Sequence, residues 1–87
     1  MKKLYRFQVG CGRMGDLLGI FVREEAEVKA LIGKRVEFGE VLGKHSDIGM
    51  RMEEDHFKEM TDDPSFIAKF EEFELATGIN PFGYLEE

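Results

Sequence analysis

The run Leu17-Leu18-Gly19-Ile20-Phe21-Val22 constrains this chain more than any other feature. It carries no polar side chain, so neither a helix nor a strand built from it has a face to give to water. Gly19, Ile20 and Val22 weaken a helix, and the branched and aromatic residues suit a pleated sheet. The run reads as a central strand, apolar on both faces.

That reading decides the meaning of the glycines before it. Val9-Gly10-Cys11-Gly12-Arg13-Met14-Gly15 matches the G-x-G-x-x-G dinucleotide fingerprint. Glu37 even ends a second strand-like run, where a ribose-binding carboxylate would belong. The fingerprint requires a helix to begin at Gly15, however, and the residues after Gly15 are strand formers. An 87-residue chain is also too short for two mononucleotide-binding halves. The glycines therefore read as a hairpin turn using positive backbone φ.

The remaining elements follow from periodicity. Residues 4–9 alternate, with Tyr5, Phe7 and Val9 on one side. Residues 24–32 read as a helix, with Glu24, Glu25 and Glu27 near its positive end, Val28, Leu31 and Ile32 as its apolar stripe, and Gly33 just past its end. Residues 35–42 form a strand region with a bulge at Gly39-Glu40, because Val41 is out of phase with Val36 and Phe38. Residues 43–46 connect it to a strand over 47–53, with Ile48, Met50 and Met52 inward. Residues 54–61 read equally as a helical turn or a short strand. Asp63 and Pro64 start a second helix, in which Phe66, Ile67, Phe70, Phe73 and Thr77 recur at helical spacing and Gly78 is the stop. The tail 79–85 is apolar enough to fold back on the core.

The expected architecture is α+β: a small antiparallel sheet with two helices packed on one face, in the order β-β-α-β-β-(β)-α, with residues 1–87 a single domain. Eight phenylalanines can fill a modest core without disulfides. The single cysteine and the lack of an apolar leader or spanning run point to a cytoplasmic setting away from membranes.

The net charge of −6 is unevenly spread. Residues 1–52 carry 10 Lys/Arg against 7 Asp/Glu, and residues 53–87 carry 2 against 11. Nucleic-acid binding is not expected from this balance. The acidic second helix offers a docking face for a basic partner through Glu71, Glu72 and Glu74, with Lys44 and His45 as a second contact on the 43–46 connection.

No catalytic constellation emerges. His45-Ser46-Asp47 are neighbours in sequence, but a triad is assembled in space, and Cys11 is not expected to meet His45. One cysteine and two histidines lack zinc-site spacing, and Glu53-Glu54-Asp55-His56 lacks the glycine and spacing of a calcium loop. No cofactor or metal is expected. Asn80-Pro81-Phe82 resembles the NPF peptide bound by EH domains, and Asn-Pro is equally a turn starter.

The leading expectation is a small protein-interaction module, contacting another protein or a second copy of itself, and not an enzyme. A second expectation is an anion- or phosphate-binding domain or small enzyme, in which Gly10, Gly12, Arg13 and Gly15 meet Lys34 and Arg35 at one end of the sheet. A third is an acidic inhibitor that mimics nucleic acid.

Overall fold

The computed structural model describes residues 1–43 and 47–85. Its frame is a long hairpin. Strands β1 (Lys2–Gly10) and β2 (Asp16–Glu24) pair antiparallel in unbroken register, from Lys2 opposite Glu24 to Gly10 opposite Asp16. The glycine run makes the turn between them. Gly12–Met14 form a single 3-10 turn, Gly12 and Gly15 have φ of 62° and 107°, and the Cys11 N–H donates to the Gly15 carbonyl at 2.8 Å. Residues 17–22 are strand, and no helix starts at Gly15.

Helix α1 (Glu25–Leu31) follows β2 directly, and β3 (Arg35–Gly39) and β4 (Ile48–Arg51) form a separate antiparallel pair. A 3-10 turn at Glu54–His56 leads into β5 (Phe57–Thr61), which resolves the ambiguous 54–61 segment as both turn and strand. Helix α2 (Pro64–Glu72), a two-residue strand β6 (Thr77–Gly78) and a 3-10 turn at Pro81–Tyr84 complete the described chain. The main sheet has the order β5-β1-β2-β6. No helix among the described residues is long and apolar enough to cross a membrane.

The core lies on the face that carries Tyr5, Phe7 and Val9 of β1 with Leu17 and Phe21 of β2. Val28 and Leu31 of α1 and Val36, Phe38, Ile48 and Met52 from the β3–β4 segment close over it. Phe7 is fully buried, with Phe57 at 5.3 Å, Phe38 at 6.0 Å and the His56 ring edge-on at 6.4 Å between centroids. The tail folds back as expected: Phe82 meets Phe21, Tyr84 meets Phe38, and Pro81 is fully buried. The Asn80 side chain accepts from the Phe82 N–H at 3.0 Å, so the Asn-Pro-Phe tripeptide acts as a structural corner.

The α+β class, the antiparallel pairing and the element order match the sequence reading. The placement of the second helix differs. On the core side, Lys3 pairs with Glu25 of α1, and Arg23 with Glu27 of α1. Lys2, one position out of phase, pairs with Glu71 of α2, and Leu4 and Phe66 line one cleft. The two helices therefore lie on opposite faces of the β1–β2 hairpin. The cause is the run 17–22 itself: Leu17 and Phe21 point to the core, while Leu18, Ile20 and Val22 point the other way.

Helix α2 is also shorter than its periodicity suggests. Asp63 caps its start, accepting from the Ser65 N–H at 3.0 Å. Its end is a Schellman closure: the Leu75 N–H donates to the Phe70 carbonyl and the Glu74 N–H to the Glu71 carbonyl, both at 3.1 Å. Glu74 takes the left-handed φ of 52° that this closure requires. Gly78 therefore does not stop the helix; it belongs to β6. The bulge expected at Gly39-Glu40 falls one residue earlier, between Glu37 and Gly39.

Candidate functional site

Alternation along the hairpin puts Leu4, Arg6, Leu18, Ile20 and Val22 on the face away from the core, joined by Lys58 and Met60 of β5. Helix α2 covers only one end of this outer face: its Ile67 and Phe70 are buried, Phe70 lines a cleft with Val22, and Phe66 lines one with Leu4. Its nine residues advance about 13 Å, against about 30 Å for a nine-residue strand. The other end of the face is left open.

That open end holds a cleft of about 400 Å³ whose walls include Arg6, Leu18, Ile20, Met60 and Thr77. Met60 also borders a second cleft of about 270 Å³, formed with Leu4 and Phe66. Leu18 is 46% exposed, Met60 48% and Phe66 51%, so an apolar strip crosses the outer face from β2 to α2. Met60 is the extra residue of a β5 bulge, since Glu59 pairs with Tyr5 and Thr61 with Leu4. Arg6 lies directly opposite Lys58 on this strip. Neither makes an ion pair among the described residues. Two uncompensated cations facing each other on a sheet repel, and an anionic group between them would relieve that.

The residues expected to bind a partner are divided. Glu71 and Glu74 line one cleft of about 340 Å³ beside Phe70. Glu72 is exposed on another side of the helix, and Lys44 and His45 lie outside the described residues. Phe73, expected on the apolar spacing of the second helix, is 63% exposed, and Leu75 after it is 53% exposed.

Among the described residues, no hydrogen bond or ion pair joins the Gly10–Gly15 loop to Lys34 or Arg35. The expected convergence needed α1 to climb the length of β2, but seven helical residues rise only about 10 Å. The amides at Cys11, Gly15, Gly33 and Lys34 donate to backbone carbonyls, and Arg35 pairs with Glu37 at 2.5 Å. Burial, with Asp16 nearby, pushes the Cys11 thiol above its ordinary value, which disfavours the thiolate.

No protein-family model matches the chain, and neither does any curated protein or solved structure.

Glu53, Asp55 and His56 bring three ligand-type atoms within 4.8 Å of one another. His56 Nδ1 accepts the Glu53 N–H at 3.1 Å as half of a capping box. The cluster is thereby accounted for as a turn. Elsewhere, Lys3 bridges Glu25 and Glu59 on the core side. Hydrogen bonding to Lys3 and then Lys29 lowers the Glu25 carboxyl from 4.5 to about 2, and the same carboxylates raise Lys3. Burial raises the Tyr5 hydroxyl.

The sequence reading did not single out Arg6, Leu18, Lys58 or Met60 as site residues. The signal was present in the two-sided apolarity of 17–22, because one short helix cannot cover a second face of that length.

Proposed function

We propose that this chain is a small cytoplasmic protein-interaction module, acting by contact and not by catalysis, and that it docks through the open end of the outer sheet face. The observation that carries this reading is the apolar strip Leu18–Met60–Phe66, exposed beside Arg6 and Lys58, two cations with no ion-pair partner among the described residues. Contiguous apolar surface rimmed by charge is costly to leave in water and is a common mark of a contact site. The acidic cleft of Glu71 and Glu74 borders the same face and gives the docking surface both signs of charge.

Site-specific photo-crosslinking in native-host extract tests the proposal. A crosslinking residue at position 18 or 60 is expected to trap protein, and one at the exposed Lys29 of α1 is not. Equal capture at all three positions, or none at 18 and 60, would refute the reading.

A further inference from the structure

The open face has a complement elsewhere on the same chain. At the end of α2, the segment Glu72-Phe73-Glu74-Leu75 projects two large apolar side chains, each more than half exposed. Carboxylates alternate with them, and Glu72 and Glu74 form no ion pair among the described residues. Arg6 and Lys58 are two cations beside an apolar cleft, and neither has an ion-pair partner among the described residues. The charges and the apolar groups of the segment match those of the cleft in kind. Within one molecule the segment cannot fill the cleft, because Leu75 is held by its N–H to the Phe70 carbonyl and the chain continues within two residues into β6.

Resting on the docking reading above, we infer that the occupant of the open face is a second copy of this chain. The segment ends at Leu75, two residues before Thr77, which with Gly78 lines the cleft, so the two patches adjoin along the chain. A two-fold axis between neighbouring patches exchanges them, so each protomer places its 72–75 segment over the other's cleft. Phe73 and Leu75 meet Leu18 and Met60, and Glu72 and Glu74 neutralise Arg6 and Lys58. Closed symmetry uses both pairs and leaves none to propagate a fibre.

Charge exchange tests the arrangement. Sedimentation equilibrium of the wild-type chain is expected to show a monomer–dimer equilibrium that weakens with salt. Arg6→Glu/Lys58→Glu and Glu72→Lys/Glu74→Lys are each expected to raise the dimer dissociation constant about tenfold or more. Mixed in equal amounts, the two variants are expected to regain dimerisation as a heterodimer, since each contact again joins opposite charges. Circular dichroism melts check that both fold, and Phe73→Ser supplies an uncharged variant that weakens the same contact. A wild-type monomer at millimolar concentration, a dimer unaffected by either reversal, or a mixture that stays monomeric overturns the inference. Crosslinks from position 18 to a different protein would leave the docking reading standing while this one falls.

Discussion

Gly19 and Gly78 lie opposite each other where β2 meets the last short strand, and a methyl group at Gly19 would stand 1.9 Å from the Ile79 carbonyl oxygen. The approach is backbone to backbone. It lets the Ile79 N–H donate to the Leu18 carbonyl at 2.7 Å and so fixes one wall of the outer-face cleft.

Gly19→Ala is therefore expected to push residues 77–79 off β2. Overpacking of this kind costs about 1–3 kcal/mol. Urea denaturation should show that loss, and amide exchange at Ile79 should rise. An unchanged midpoint would mean that the edge strand contributes nothing.

Glu74 holds a left-handed φ of 52° at the end of α2, a conformation that is unfavourable for a residue with a Cβ. Glycine at this position fits the Schellman closure without that penalty, offset in part by its greater freedom when unfolded. Glu74→Gly is expected to stabilise the monomer by about 0.5–1 kcal/mol. Thermal melts at low protein concentration separate this gain from any loss of self-association.

Lys3 and Glu25 predict a definite pH profile. The Glu25 carboxyl is lowered from 4.5 to about 2, so its contribution is complete above about 4.5 and disappears as pH falls toward 2. Lys3 is raised above 10.5, so its contribution is complete below that value and is lost only in stronger base. Lys3→Met should therefore show a constant deficit in urea midpoint between about pH 5 and pH 10, shrinking as pH approaches 2. A deficit that persists undiminished at pH 2 would assign the effect to packing of the Lys3 stem.

Asp63 accepts the Ser65 N–H at 3.0 Å and anchors the start of α2. Asp63→Ala is expected to cost about 1 kcal/mol. Asp63→Asn should recover most of it, because the amide oxygen accepts the same bond. Chemical denaturation of the three proteins is sufficient to check both statements.

Much of this architecture was legible in local residue chemistry. Alternation identified Tyr5, Phe7 and Val9 as core, the β-branched run identified β2, and Asp63-Pro64 identified the start of α2. These signals are strong because they depend only on the period of the backbone and on the first turn of a helix. The end of α2 was misplaced because helical spacing continues through Phe73 and Thr77, while the Schellman closure uses Glu74, a residue with no stop signal of its own. The candidate site was less legible still. The acidic residues of α2 stand out in the sequence, but the exposure of Leu18 and Met60 depends on how much of the outer face α2 covers.

By itself, then, the order of residues determined that 17–22 is an extended segment without a polar face, that the preceding glycines turn the chain, and that the acids gather late. Only the tertiary structure decided which side of the hairpin each helix takes and which half of the second face stays bare. The physical reason is that backbone period and turn geometry are properties of a few adjacent residues. Cover is a property of the distance that a separate element can span, and α2 is too short to reach past Leu4 and Val22.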